Sequence, residues 1–316
     1  NWLIYNGMKK ILSLNIFVFF FIFFLNQFSV SSEVKIITKV NNQIITNLDI
    51  ENEKKYLMTL NKNFENLDKD KMYSIALESI IREKIKRNEL KKYFLLNQKN
   101  INFDNTIVQI YKRLNLDSLN KFKNYLAKNN LNYEEVYKKI EIETLWNQLI
   151  YTNYADQVVI QEERLREEIL KNKDTHEMYK FSEIVFDFKN KEEFKRKYDE
   201  INSLIIEKSF SEAALVYSIS DSASNSGSLD WVNSNILSNS IKEKIENLNI
   251  GEVYKPIDIQ AGELLLRIDD KKNDEKEIDI EKEIQKAKDY ELTSQLNNFS
   301  LIYYNKIKQD YIINEK

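Results

Sequence analysis

The chain has 316 residues, with 47 basic against 50 acidic side chains, one histidine, one proline, four glycines and no cysteine. A net charge of −3 implies no basic surface for nucleic acid, and without cysteine neither disulfides nor thiolate sites can support the fold. A single histidine, His176, with no H-x-x-x-H pattern around it, provides no metal-ligand set; no metal or cofactor is expected.

Lys9 and Lys10, an apolar run from Ile11 to Leu25 and small residues at Ser29, Ser31 and Ser32 follow the order of a secretory signal, with cleavage expected near Ser31 to Glu33. Asn1 to Gly7 precede Met8, which is read as the start. A retained anchor is the alternative, because the apolar stretch approaches the ~20 residues that a spanning helix needs. The reading is an exported, periplasmic protein with residues 1–32 as signal peptide, touching the membrane only if that segment is retained.

Val34 to Val40 and Gln43 to Thr46 are rich in β-branched residues on either side of Asn41-Asn42, a pair that tolerates the positive φ of a tight hairpin. Asn47 is a candidate cap for a helix over 48–61. Met72, Ile75, Leu77, Ile80, Ile81, Ile85 and Leu90 recur at helical spacing, predicting a long amphipathic helix over 70–96. Helices are expected at about 104–114 and 117–129, each opened by an aspartate, then at 133–157 and 160–172. The polar stretch Lys171 to Asp174 reads as a domain boundary.

After it the pattern changes. A strand is expected over 179–186, helices over 190–208, 209–217 and 238–247, a loop from Ser218 to Gly227, and strands over 253–256 and 263–268. A long helix over 278–308 and a short β-branched end at Tyr311 to Ile313 complete the chain. That end has no partner nearby, so the economical arrangement returns it to the 34–46 hairpin, whose edge would otherwise invite aggregation. The expected fold class is α+β, mainly helical. A discontinuous helical domain (33–174 together with 271–316) holds one inserted β/α domain at 175–270.

Two stretches carry a resemblance. The opening Val34-Lys35-Ile36-Ile37-Thr38-Lys39-Val40-Asn41-Asn42-Gln43-Ile44-Ile45-Thr46-Asn47-Leu48-Asp49-Ile50 resembles the start of the periplasmic chaperone SurA. Residues 179–269 resemble a parvulin-type (PpiC-like) prolyl isomerase domain, through Phe181-Ser182-Glu183-Ile184-Val185, Phe210-Ser211-Glu212-Ala213-Ala214, Tyr217-Ser218, Asn225-Ser226-Gly227-Ser228-Leu229-Asp230-Trp231, Gly251-Glu252-Val253-Tyr254-Lys255-Pro256-Ile257 and Gly262 to Ile268. The resemblance implies a SurA-like chaperone with one parvulin-type domain. It places Ser218, Leu229, Trp231, Ile241 and Leu264 in the peptide-binding region, and implies unfolded exported polypeptides, outer-membrane proteins among them, as partners, with neither nucleotide nor nucleic acid.

The departures from the parvulin pattern bear on chemistry. Catalytic parvulins carry a histidine in the first strand and another in the last; the resemblance aligns the first with Glu183 and the second, without gaps from Pro256 onward, with Leu264, or with Glu263 if the register is off by one. Peptide-bond rotation is opposed by amide resonance, with a barrier of about 20 kcal/mol, which a catalyst lowers by holding the proline ring in a dry pocket. Leu229, Ile241 and Leu264 could line such a pocket, while Glu183 introduces a carboxylate. A holdase with a weak or inactive isomerase domain is therefore expected; an active isomerase with a divergent site, or a membrane-tethered folding factor, are the alternatives.

The remaining candidates have plain explanations. Glu162-Glu163 and Glu167-Glu168 lie among Arg164, Arg166 and Lys171, which suits a salt-bridged helix face. Ser218, Ser220, Ser222, Ser224 and Ser226 lack a nearby base and read as a flexible loop. Trp231 reads as domain core, and most of Tyr111, Phe122, Tyr125, Tyr133, Tyr137, Trp146, Tyr151 and Tyr154 as core of the helical part.

Overall fold

A computed structural model of the protein describes residues 33–96, 101–171, 177–229, 231–234, 237, 239–273 and 279–315. The expected signal segment, Asp230, His176 and the stretch after Lys171 lie outside them. The chain divides into two compact units, residues 1–35 and 36–316, and every strand and helix named below belongs to the second. No helix among the described residues is long and apolar enough to cross a membrane.

β1 (Ile36–Val40) and β2 (Gln43–Thr46) form the expected hairpin, with Asn41 at φ 51°. α1 (Asn47–Leu60) is capped one residue earlier than expected: the Asp49 N–H donates to Thr46 Oγ1 at 3.2 Å and the Thr46 N–H donates to the Asp49 carboxylate at 2.7 Å. This reciprocal box satisfies two end donors at once, which Asn47 could not do. α2 (Lys69–Leu90) stops short of Leu96, because the chain turns there and folds Phe94 and Leu96 back onto the core. α3 (Ile101–Arg113) begins before Asp104, and α4 (Leu119–Lys128) is capped by Ser118 instead of Asp117. α5 (Tyr133–Tyr154) starts at an Asn132 cap and runs into a 3-10 turn at Ala155–Gln157.

α6 (Glu162–Lys171) leads to the inserted domain. There β3 (Glu177–Phe186) is followed by α7 (Lys191–Glu207), α8 (Phe210–Tyr217), β4 (Val232–Asn233), α9 (Asn239–Ile245), β5 (Ile257–Ile259) and β6 (Gly262–Asn273). The sheet is antiparallel in the order β4-β3-β6-β5. β4 was not foreseen. The expected strand at 253–256 is a single bridge, Val253 to Arg267; β5 begins after Pro256, whose missing N–H suits a position before a strand. One sheet face, with Ile184, Phe186 and Leu265, packs on α7 and α8 through Ile201, Leu204, Phe210, Ala213 and Ala214.

α10 (Ile280–Lys308) is one helix of 29 residues and serves two cores. Its second half joins α2, α5 and the hairpin, where Tyr304 and Ile307 meet Val40, Ile45, Ile80, Ile85 and Trp146. β7 (Ile313–Glu315) then pairs antiparallel with β1, Val40 opposite Ile313, and Thr38 Oγ1 donates to the Asn314 carbonyl at 2.6 Å. The sheet order is β2-β1-β7. The fold is thus a discontinuous, mainly helical domain with a β/α domain inserted. The first half of α10 does something else: Ile284 and Ala287 pack on the other domain.

Candidate functional site

The edge of β3 beyond the two-residue β4 would leave backbone groups without strand partners, and the 218–229 segment supplies them. Glu183 N–H donates to the Gly227 carbonyl and Ile219 N–H to the Val185 carbonyl, both at 2.8 Å. Leu229 N–H donates to the Phe181 carbonyl at 2.8 Å, and Val185 N–H to Ser218 Oγ at 3.1 Å. The serine segment is therefore not a free loop: it contains a 3-10 turn over Asp221–Asn225 closed by Ser226 in the left-handed region. Small residues are needed for this close approach. A Cβ on Gly227, at φ +76°, would sit 2.3 Å from the Glu183 carbonyl oxygen and 2.9 Å from the Ala214 Cβ. Gly227→Ala is expected to cost at least ~2 kcal/mol, from the positive φ and the displaced loop together, read as a lower urea midpoint. A midpoint equal to wild type would mean that the segment lifts off the strand freely.

Glu183 and Leu264, which the resemblance aligns with the two parvulin histidines, lie on neighbouring strands. Glu183 pairs with Leu266 and Leu264 with Val185, so the two are diagonal neighbours on one face. Glu183 Oε1 accepts hydrogen bonds from Ser220 Oγ at 2.7 Å and Ser222 Oγ at 2.8 Å. These two serines, dismissed as loop residues in the sequence, are the local partners of the carboxylate; the signal that could have found them is the aligned acid itself, which needs donors in a half-buried place. Tyr290 of α10 lies within electrostatic reach of Glu183 on a 39% exposed side chain, and desolvation together with that carboxylate raises its hydroxyl.

Among the described residues, the expected peptide-binding residues do not share one environment. Leu229 and Ile241 pack against the cluster of Tyr179, Phe181, Leu266 and Ile268, which is closed by Leu165 and Ile169 of α6 and Ile284 and Ala287 of α10. Those two helices are clamped together by Arg164 to Glu291 at 2.5 Å, Arg166 to Glu281 at 2.6 Å and Lys288 to Glu162 at 2.6 Å. Of the two acidic pairs, Glu162 reaches across to α10, Glu168 pairs with Arg164 within α6, and Glu163 and Glu167 are exposed, so the salt-bridged face is present with one inter-helix tie added. Leu264 is half-buried outside that cluster, and Ser218 is buried as the acceptor for Val185. Trp231 is half-buried at the sheet margin instead of in the core, with Lys272 Nζ 4.1 Å from its ring centroid. Among the described residues no group of His, Cys, Asp and Glu could hold a metal ion.

The inserted domain docks on the helical part through this same serine segment. Asn61 Nδ2 donates to the Ser224 carbonyl at 2.9 Å, and Asn63 Nδ2 to the buried Ser226 Oγ at 2.8 Å. Leu215 of α8 plugs into Phe64 and Met72.

Residues 176–270 match the rotamase family model described as a PPIC-type PPIASE domain. The four-stranded part of this chain is a domain of that type. Among solved structures, one of the two SurA-like chaperones PEB4 and Cj1289 from Campylobacter jejuni is 17% identical over 89% of this chain and 98% of its own, at a TM-score of 0.37. A peptidylprolyl isomerase, PrsA from Bacillus anthracis, is 18% identical over 74% of this chain and 94% of its own, at a TM-score of 0.30. A PpiC-type peptidyl-prolyl cis-trans isomerase domain is 22% identical over 31% of this chain and 94% of its own, at a TM-score of 0.28. No curated protein matches the chain.

Proposed function

We propose that this protein is an extracytoplasmic chaperone that holds unfolded polypeptide, and that its PpiC-type domain is a binding and bracing element with little isomerase activity. The observation that carries this reading is the state of the prolyl face. Glu183 and Leu264 stand where two histidines are expected, and α6 and α10 pack over the cluster holding Leu229 and Ile241. A substrate proline ring needs a vacant dry pocket to exchange its amide solvation for protein contacts; here apolar side chains of the chain itself occupy that face.

The helical domain offers a surface suited to apolar, aromatic-rich segments. Tyr93 is 54% exposed, Leu95 79% and Tyr151 55%. Behind them Tyr154 stacks on Phe299 at 4.9 Å, and the Tyr303 hydroxyl donates to Glu89 at 2.8 Å. Such rings combine large contact area with a polar tip. Unfolded outer-membrane or other envelope proteins in the periplasm are the proposed clients, released as they fold or are handed on.

Two rates measured side by side test the reading: aggregation of an unfolded outer-membrane protein, and cis/trans isomerisation of Xaa-Pro peptides. Suppressed aggregation with isomerisation within about twofold of the uncatalysed rate is the expected result. Isomerisation accelerated about a hundredfold or more and lost in Leu229→Ala and Ile241→Ala variants would overturn it in favour of an enzyme working without histidines.

A further inference from the structure

Where α2, the second half of α10 and the inserted domain meet, a cleft of about 340 Å³ opens, with Arg82, Tyr304, Phe186, Ile219 and Leu301 among its walls. Most of its charges are already neutralised. Lys308 pairs with Glu78 at 2.8 Å, Lys197 with Asp187 at 3.0 Å, and Lys86 with Glu143 at 2.6 Å. Asp221 is exposed and contributes at the rim. Arg82 is the exception: no carboxylate among the described residues pairs with it, and its buried Nε has no hydrogen-bond partner. The Tyr304 hydroxyl, on a side chain only 7% exposed, likewise has no acceptor for its proton. The guanidinium carbon lies 5.7 Å from the Tyr304 ring centroid, and Arg82 acts as a donor toward the hydroxyl oxygen, so the Nε and hydroxyl protons stand close together in one cavity with no acceptor for either.

Buried donors without acceptors are costly, and two of them side by side, one cationic, match an anionic acceptor. We infer that this cleft is a carboxylate-binding site for a bound polypeptide, with Arg82 and Tyr304 donating to the carboxylate while the half-buried Ile219 and Leu301 cover the adjoining apolar part of the peptide. The carboxylate can come from a chain's C-terminus or from an aspartate or glutamate side chain. The inference rests on the polypeptide-binding reading above and adds to it a chemical preference and a place.

The test uses the full protein and three peptides of one apolar sequence, each carrying a neutral coumarin label. The first has a free C-terminal carboxylate, the second is amidated, and the third is amidated with one internal glutamate. Binding of the first or the third at least about tenfold tighter than the second is expected, and which of the two gains identifies the source. Arg82→Met should erase the difference. Tyr304→Phe should reduce it while leaving the melting temperature unchanged or raised, since a buried hydroxyl without an acceptor is removed. Equal binding of all three peptides, an unaltered preference in Arg82→Met, or a melting temperature several degrees lower in Tyr304→Phe would each overturn the inference. A protein that suppresses aggregation without preferring the acidic peptides refutes only the site; one that neither suppresses aggregation nor binds any peptide refutes the chaperone reading itself.

Discussion

Trp146→Ala is expected to lower the unfolding free energy by about 4 kcal/mol, the range found when a fully buried large aromatic is truncated. Trp146 is 0% exposed. Its Nε1 donates to Ser300 Oγ at 2.8 Å, its ring lies 5.6 Å from that of Tyr303, and Lys86 Nζ sits 5.2 Å from its centroid. Ser300 and Tyr303 belong to α10 and Lys86 to α2, so a single side chain from α5 holds the returning helix in place. Ser300→Ala separates the two contributions, because it removes only the hydrogen bond and should cost about 1 kcal/mol. Urea midpoints at constant slope give both numbers. A loss below about 1 kcal/mol for Trp146→Ala would mean that α10 is held by other contacts.

Lys139→Met is expected to cost about 3–5 kcal/mol, the consequence of stranding buried carboxylates. Lys139 Nζ contacts Glu53 at 2.7 Å and also Glu83. Glu53 is 3% exposed and accepts from Ser79 Oγ at 2.7 Å, while Arg87 Nη2 donates to Glu83 at 2.7 Å. The network ties α1, α2 and α5 together. Burial by itself would raise the Glu83 carboxyl, but Lys139 and Arg87 outweigh it and hold the group below its ordinary 4.5. Burial would lower Lys139, but Glu53 and Glu83 outweigh it and hold the ammonium above 10.5. A depressed acid contributes stability that is present above pH 4.5 and lost as pH falls through the lower folded value. A raised ammonium contributes stability that is present below pH 10.5 and lost as pH rises through the higher one. Wild-type stability should therefore hold between these limits and fall on either side. In Lys139→Met the acid-side loss should shrink or reverse, since protonating Glu83 then relieves its repulsion with the neighbouring Glu53 carboxylate. Urea midpoints from about pH 3 to pH 7 decide it, and an acid-side loss as steep as in wild type would refute the pairing.

Much of this protein could be read along the chain, and the misreadings have local causes. Asn41-Asn42 announced the hairpin because its turn needs a positive φ, and that angle appears at Asn41. Asn190 and Ser209 begin α7 and α8 as side-chain caps, a signal carried by a few adjacent residues. The cap of α1 was misplaced because Thr46 and Asn47 are both good caps, and only the reciprocal bond with Asp49 chooses between them. β4 escaped notice because a two-residue strand has no periodicity to detect. At the candidate site, Glu183 was visible by alignment, whereas its partners Ser220 and Ser222 were not, because their approach depends on the folding of 218–227 along β3.

By itself the sequence determined most of the helices, the hairpin and the restriction to a single histidine, because each is recorded in composition or in spacing over a few residues, while the inserted parvulin-like domain was legible as a resemblance carried by an ordered set of short motifs. Only the tertiary structure decided that α10 serves two cores, that α6 and α10 cover the face bearing Leu229 and Ile241, and that Arg82 Nε and the Tyr304 hydroxyl stand together without acceptors. These are meetings between residues roughly fifty to more than two hundred positions apart. An amphipathic pattern states that a face will be buried, but not which surface will bury it.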